Sequence, residues 1–284
     1  MPTTAVTGAT GQLGRLVVQA LQAQGADVVA VVRDPAKAAG VLGADVEVRV
    51  ASYDDRAALR AALAGVDTLV LISGSEVGRR LQQHTNAVEA AKAAGVSRVV
   101  YTSAPHADTT ALALAPEHKA TEEVIAGSGL AWTFLRNNWY HENYATQLGQ
   151  AAGSGVLVGS AHDGRTASAA RRDYAEAAAA VAVGEGHENR VYELSGDIAW
   201  TMPELAAAIT EVTGRPVEYR DVSTAEHVAA LTAAGLDEGT AGFVAALDAN
   251  TADGELADTT GDLSRLIGRP TTPLVEGLRA ATAA

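Results

Sequence analysis

The 284-residue sequence contains no cysteine, two methionines and few aromatic residues. The lack of cysteine excludes disulfide bonds, thiolate catalysis and cysteine-ligated metal sites, and it is compatible with a reducing cytoplasm. The seven histidines form no H-x-x-x-H or H-E-x-x-H pair, so the sequence predicts no metal site.

Positive charge and long apolar runs are also scarce. Lys and Arg number 21 against 34 Asp and Glu, for a formal net charge of -13. Such a surface argues against nucleic acid as a partner, because it would repel the phosphates. No run approaches the ~20 apolar residues of a membrane span, and no basic, apolar leader precedes the first predicted strand. We therefore expect a cytoplasmic protein that crosses no membrane.

Three glycines, Gly8, Gly11 and Gly14, directly follow a short apolar run at the start of the chain. A strand that turns at once into a helix leaves several backbone N–H groups pointing at one spot, and these bind a pyrophosphate with the help of the helix dipole. The G-x-x-G-x-x-G spacing differs from the usual G-x-G-x-x-G fingerprint, and an ordinary glycine-rich turn is the alternative. The context favours the nucleotide, because an amphipathic helix at 12–24 leads into a β-branched run at 28–32 and completes a βαβ unit.

The residue after the second predicted strand indicates which dinucleotide is bound. An NAD site places a carboxylate there for the ribose 2′-OH, whereas an NADP site needs a cation for the 2′-phosphate. Arg33 occupies this position and can pair bidentately with a phosphate, and Lys37 could add charge. Asp34 keeps NADH open, because a small rotation would bring its carboxylate to the ribose. We expect NADPH as the cofactor, with NADH as the alternative.

Strands and helices continue to alternate along the chain. Further strands are predicted at 46–50, 68–72, 98–102 and 131–136, and helices at 55–63, 79–94 and 116–126. This alternation favours a parallel sheet covered by helices on both faces, with ligands at the carboxyl ends of its strands. The prediction is an α/β protein with a Rossmann-type doubly wound sheet. Residues 1–140 would form the dinucleotide-binding domain, and 141–284 a smaller C-terminal α/β lobe that is partly interleaved with it.

The scarce aromatic residues concentrate in one stretch. Trp132 and Phe134 lie on the sixth predicted strand, and Trp139, Tyr140 and Tyr144 follow just past its end. These last three rings are mixed with amides, which suits a flat ring system that needs a stacking face and a few hydrogen bonds. An aromatic hinge that packs one lobe on the other is the alternative.

Six segments together resemble the bacterial type 2 NAD(P)H:quinone oxidoreductases, which are NmrA-like atypical short-chain dehydrogenases/reductases and relatives of the triphenylmethane reductases. The segments are 8–14, 31–37, 71–78, 101–103, 135–144 and 266–272, and the similarity spans nearly the whole chain. The resemblance implies an NADPH-binding fold, a substrate cleft between two lobes, and two-electron reduction of quinones. It also implies cofactor contacts from Gly8, Ala9, Thr10, Gly11, Gln12, Leu13, Arg33, Ser73, Gly74, Ser75, Asn137, Asn138, Trp139, Tyr140, His141 and Glu142.

The chain departs from the wider superfamily at its acid–base residues. Typical members have a serine near the end of the fifth strand and then Tyr-x-x-x-Lys, whose tyrosine protonates an alkoxide. Ser103 is present, but His118 and Glu122 stand where Tyr and Lys should be. A quinone needs no such acid, because hydride transfer leaves an aromatic hydroquinone anion that can take its proton from water. The candidate catalytic residues are His118, as a proton donor or a hydrogen-bond partner of the product oxygen, and Tyr140. A pocket-lining or structural role is the alternative for His118, and either Trp139 or Tyr140 would form a wall of the ring pocket.

Two other functions stay open. The NmrA-like branch includes proteins that bind NAD(P) and a protein partner without turnover, which the missing Tyr-x-x-x-Lys would permit. The other alternative is reduction of triphenylmethane-type dyes. The expected partner is a small-molecule quinone or another planar aromatic acceptor, and a homodimer is compatible with the sequence.

Overall fold

A computed structural model describes residues 2–283. Its first half alternates strands and helices: β1 (Thr3–Thr7), α1 (Gln12–Ala23), β2 (Asp27–Val32), α2 (Pro35–Val41), β3 (Glu47–Val50), α3 (Arg56–Ala62), β4 (Thr68–Leu71), α4 (Arg80–Ala94), β5 (Arg98–Ser103), α5 (Ala115–Ala126) and β6 (Ala131–Asn137). Every element predicted in this half is confirmed to within one residue at each end. Helix α2 is an addition, in a stretch where no element was predicted.

The second half begins with a 3-10 turn, His141–Tyr144. It continues with α6 (Ala145–Ser154), β7 (Val156–Gly159), β8 (Arg165–Thr166), α7 (Arg171–Val183), β9 (Arg190–Leu194), β10 (Trp200–Thr201), α8 (Met202–Thr213), β11 (Glu218–Asp221), α9 (Thr224–Ala233), α10 (Glu238–Ala252), α11 (Asp262–Ile267) and α12 (Leu274–Ala283). Helices α8 and α9 each begin at a capping box, in which the N-cap hydroxyl and a glutamate three residues later exchange hydrogen bonds.

Seven parallel strands form the central sheet in the order β3-β2-β1-β4-β5-β6-β9. Strands β4 and β5 are buried along their whole length, as a sheet covered on both faces requires. The strand order changes direction at β1, and in such a sheet the carboxyl ends of β1 and its new neighbour β4 open a crevice for ligands. This Rossmann-type arrangement confirms the predicted fold class.

The two halves of the chain are interleaved. Strand β9 extends the sheet beside β6, α7 packs against α1 in the same core, and α11 packs against α7 and β9. Helices α6, α8 and α12 and strands β7 and β10 build a smaller core that includes Trp200 and Ile209. Residues past 140 thus complete the central sheet, and the boundary at residue 140 stays a prediction.

Membrane-spanning helices and metal-ligand clusters are both absent among residues 2–283. No helix there has the length and apolar character needed to cross a bilayer. No three His, Asp or Glu side chains of those residues come together as a group that could hold a metal ion.

Candidate functional site

The turn between β1 and α1 has two positions at which the backbone favours glycine. Gly8 has a φ of 60°, in the left-handed region that favours glycine, and its carbonyl accepts from the Gly11 amide at 2.8 Å. A Cβ on Gly14 would lie 2.2 Å from the Gly8 carbonyl oxygen. Glycine at position 14 therefore allows α1 to begin this close to β1.

The first turn of α1 leaves its backbone donors free. Gly11 is the N-cap and supplies no side-chain hydrogen bond. Within the part of the chain that the structure describes, no carbonyl accepts from the amides of Gln12, Leu13 or Gly14. Because amides at a helix N-terminus carry partial positive charge, this turn is suited to an anionic group such as a phosphate.

A cavity of about 460 Å³ lies above this turn, at the carboxyl edge of the sheet. That volume is within the usual range for ligand pockets. Its walls come largely from the segments that follow β1, β2, β3, β4 and β6, because the carboxyl ends of parallel strands share one edge of the sheet. They include ten of the predicted cofactor residues: Gly8, Thr10, Gly11, Gln12, Leu13, Arg33, Ser73, Gly74, Ser75 and Tyr140.

The β2 end of the cavity is cationic. Arg33 and Lys37 line it, and the Arg33 guanidinium lies 3.1 Å from a carboxylate oxygen of Glu76. Asp34 faces its own helix instead, because its carboxylate accepts from the amides of Ala36 and Lys37 and caps α2. The carboxylate that could have served a ribose hydroxyl is thus engaged as a helix cap.

Sequence reasoning missed several residues of the cavity wall, among them Tyr53, Glu76, Gln83 and Arg171. The Tyr53 hydroxyl lies 2.7 Å from the Thr7 hydroxyl and 2.8 Å from the Ile72 carbonyl, so it ties the segment after β3 to the ends of β1 and β4. Burial raises the pKa of Tyr53 above its ordinary value and keeps the phenol protonated. Two of these residues could have been found from their position in the sequence, since Tyr53 and Glu76 both follow strands of the sheet.

Side chains of α4 hold the Ser73–Ser75 segment in place. The Gly74 amide donates to Nε2 of His84 at 3.0 Å, and the Gly74 carbonyl accepts from Nε of Arg80 at 2.8 Å. Because Nε2 accepts, Nδ1 of His84 carries the proton and faces the Thr121 hydroxyl at 3.0 Å. Burial lowers the pKa of His84 to about 3, so the ring is neutral near pH 7.

The segment after β6 divides between the cavity and the protein core. Tyr140 lines the cavity; its hydroxyl lies 3.2 Å from Nδ2 of Asn137, and the Arg171 guanidinium sits 4.8 Å from its ring centre. Trp139 instead packs against the C-terminal core. The segment therefore serves both roles that the sequence offered as alternatives, because Tyr140 lines the cavity and Trp139 packs against the C-terminal core.

Three neighbouring residues are engaged with the C-terminal half. Nδ2 of Asn138 donates to the Leu256 carbonyl at 3.1 Å, and the Glu142 carboxylate accepts from the Arg171 amide at 3.0 Å. His141 lies between the Ser168 hydroxyl and the Thr272 carbonyl, at 2.8 and 3.0 Å.

None of Asn137, Asn138, Trp139, His141 and Glu142 lines the cavity. Ala9 is fully buried and does not line it either. A cofactor contact from any of these six residues stays a prediction.

His118 and Glu122 face inward from α5. Nδ1 of His118 lies 2.8 Å from the Tyr101 hydroxyl, and burial lowers the pKa of His118 to about 3. Glu122 accepts two hydrogen bonds from Arg136, at 3.0 and 2.7 Å. The structure does not bring His118 to the cavity, so its role as a proton donor stays a prediction without a contact to support it.

Two buried oxygens at the carboxyl edge have no hydrogen-bond partner within residues 2–283, Oγ of Ser103 and Oδ1 of Asn137. They stand at the ends of the paired strands β5 and β6. Because buried polar atoms are nearly always hydrogen-bonded, these two oxygens call for partners that residues 2–283 do not supply.

The chain is similar to known nucleotide-dependent reductases. A family model described as NAD(P)H-binding matches residues 8–183. Quinone oxidoreductase 2 of Escherichia coli (strain K12) is 50% identical over 276 residues, which cover 96% of each chain. The crystal structure of an E. coli NADPH-dependent quinone oxidoreductase complexed with NADPH has a TM-score of 0.93 at 49% identity, covering 98% of this chain and 99% of that chain. Citrobacter sp. triphenylmethane reductase complexed with NADP(H) has a TM-score of 0.92 at 39% identity, covering 98% and 99%.

Proposed function

We infer that this chain, which belongs to the NAD(P)H-binding family, is an oxidoreductase that transfers a hydride from NADPH to a quinone. The observation that carries the inference is the end-to-end similarity to an NADPH-dependent quinone oxidoreductase. The cavity adds an independent argument, because its residues suit both the cofactor and the reaction.

The β1–α1 turn fits the diphosphate of the cofactor. The amides of Gln12, Leu13 and Gly14 are free to bind it, and glycine at position 14 lets the helix begin where the strand ends. Arg33 and Lys37, at the β2 end of the cavity, would hold the 2′-phosphate by charge-assisted hydrogen bonds. These contacts would favour NADPH over NADH.

A second part of the cavity suits the nicotinamide. When bound, NADPH supplies a hydride from this ring. Ser73–Ser75 and Tyr140 line the cavity, and the unpartnered oxygens of Ser103 and Asn137 stand at the ends of the neighbouring strands. We assign the ring to the side of the cavity that Tyr140 lines, where its aromatic face can align a planar acceptor.

The acid–base character of the cavity favours a quinone over a simple ketone. Its titratable wall residues within 2–283 are Arg33, Lys37, Tyr53, Glu76, Tyr140 and Arg171. Burial raises the pKa of both tyrosines, and no histidine lines the wall. A ketone would leave a strongly basic alkoxide with no matched acid, whereas a hydroquinone anion can be protonated by water.

An assay of NADPH oxidation tests the proposal. Purified protein is mixed with NADPH and a panel of benzoquinones, naphthoquinones and phenanthrenequinone, with cyclohexanone as a ketone control and a triphenylmethane dye as a rival acceptor. We expect oxidation in proportion to enzyme for at least one quinone and none for the ketone. Oxidation no faster than the uncatalysed rate with every quinone would overturn the proposal, and turnover of the dye alone would favour the dye-reductase alternative.

A further inference from the structure

The Arg33 guanidinium is already engaged within the cavity. Its Nη1 lies 3.1 Å from Oε1 of Glu76, and both residues line the cavity. Arg33 follows β2 and Glu76 lies beyond the end of β4, while β1 lies between these two strands in the sheet. The ion pair therefore spans the edge of the sheet at the strand whose end carries the glycine turn.

Glu76 is also held from its other side. Its second oxygen, Oε2, accepts from Arg79 at 3.2 Å and from Gln83 at 3.1 Å. Arg79 pairs in addition with Asp54 at 2.8 Å. If Arg33 were drawn away by another anion, the Glu76 carboxylate would keep one cation and one amide donor. The Glu76 carboxylate therefore stays paired when Arg33 exchanges its partner, which keeps the free-energy cost of that exchange low.

We propose that Glu76 competes with the 2′-phosphate for Arg33 and so sets the preference of the cavity between phosphorylated and unphosphorylated dinucleotides. The proposal rests on the use of NADPH inferred above. A 2′-phosphate must take the guanidinium from the carboxylate and then lie near its negative charge, whereas a 2′-hydroxyl does neither. Glu76 is therefore a positioning residue that acts through Arg33 and weakens the binding of NADPH selectively.

The exposure of the pair sets the size of the effect. The Arg33 side chain is 70% exposed and that of Glu76 is 37% exposed. Ion pairs this accessible to water contribute little, so removal of the competing carboxylate should change affinity by about two- to five-fold.

Isothermal titration with two nucleotides tests this without any hydride chemistry. ADP-ribose and its 2′-phosphate reproduce the adenosine and diphosphate parts of the two cofactors and differ only in the 2′-phosphate. We expect Glu76→Gln to bind the phosphorylated probe about two- to five-fold more tightly than wild type and to bind ADP-ribose unchanged. Glu89→Gln is the matched control, because it removes the exposed partner of Arg56, outside the cavity wall, and should change neither affinity.

A double-mutant cycle checks that Glu76 acts through Arg33. In the Arg33→Ala background, Glu76→Gln should give little or no further gain. Unchanged affinity of Glu76→Gln for the phosphorylated probe, an equal gain for both probes, or a full gain without Arg33 would each overturn the proposal.

Crystal structures of the two probe complexes give a second test that needs no variant. The Arg33–Glu76 pair should be parted with the phosphorylated probe and intact with ADP-ribose, and an intact pair in both would refute the competition. Failure of the proposed function looks different: wild-type protein that binds neither probe would argue against NADPH use itself. Binding of both probes with no effect of Glu76→Gln would refute only the role of Glu76.

Discussion

Replacement of Gly14 by alanine probes the contact between α1 and the turn before it. The new Cβ would lie 2.2 Å from the Gly8 carbonyl oxygen, 2.8 Å from the Gly8 carbonyl carbon and 2.9 Å from the Ala9 Cα. All three neighbours are backbone atoms, which cannot swing aside as a side chain can. Since non-bonded carbon atoms prefer separations of about 3.5–4 Å, the start of α1 must retreat from the turn by about 1 Å.

Two penalties follow from this shift. Overpacking costs about 1–3 kcal/mol of stability, offset by the roughly 0.5–1 kcal/mol that alanine gains over glycine inside a helix. The α1 amides also move by about 1 Å, which is enough to lengthen a hydrogen bond of about 2.9 Å to the diphosphate beyond its useful range. Loss of one charge-assisted bond of about 1.5–3 kcal/mol should weaken NADPH binding by roughly 10- to 100-fold.

Urea denaturation and isothermal titration with NADPH measure these two effects. Gly40→Ala in α2 is the matched control, because no atom lies within 4 Å of the added Cβ; its NADPH binding should be unchanged and its stability equal or up to about 1 kcal/mol higher. If Gly14→Ala bound NADPH as tightly as Gly40→Ala does, the α1 amides would not be the binding site of the diphosphate.

Three further predictions follow from charged and buried groups. Arg33→Ala should weaken NADPH binding by about 1.5–3 kcal/mol and spare NADH; equal losses in titrations with both cofactors would contradict the 2′-phosphate assignment. Burial lowers the pKa of His84 and of His118 from 6.5 to about 3, so below pH 6.5 the unfolded chain binds protons that the folded chain excludes. The free energy of unfolding should therefore fall by up to about 2 kcal/mol per histidine between pH 7 and pH 5, and urea denaturation showing no such fall would count against it. Glu122→Gln should cost about 1–3 kcal/mol of stability, because buried Arg136 loses one carboxylate but keeps Asp108 and Glu193, with kcat for quinones unchanged in protein that stays folded; an intact stability with a lost kcat would instead indicate a catalytic Glu122.

Strands β1, β2, β4, β5 and β6 were predictable because strands buried on both faces leave largely continuous apolar, β-branched runs, whereas β3 is mostly exposed and was recognised by its alternation of valine with charged residues. Helix α2 had a local signal that was missed, with Asp34 at its N-cap and Pro35 at its first position. Strand β9 had none of the apolar pattern, since most of its residues are exposed or half-buried. Its place in the sheet depends on pairing with β6, which lies more than 50 residues earlier in the chain.

At the candidate site, too, some residues could be placed from local sequence and others only from the fold. Residues that follow a strand directly, such as Arg33 and Ser73, could be placed because the carboxyl ends of parallel strands share one edge. Asn138 and His141 could not be separated from Tyr140 by composition, since amides and rings serve both ring binding and lobe packing. Their partners, Leu256 and Thr272, stand 118 and 131 residues away in the sequence, and only the fold brings them together.

A crystal structure of the chain bound to NADPH would show where each part of the cofactor lies. We expect the diphosphate on the first amides of α1, the 2′-phosphate at Arg33, and the nicotinamide ring beside Ser73–Ser75 and Tyr140. A diphosphate bound elsewhere, or a cofactor reversed so that its nicotinamide lies at Arg33, would contradict the proposed binding mode.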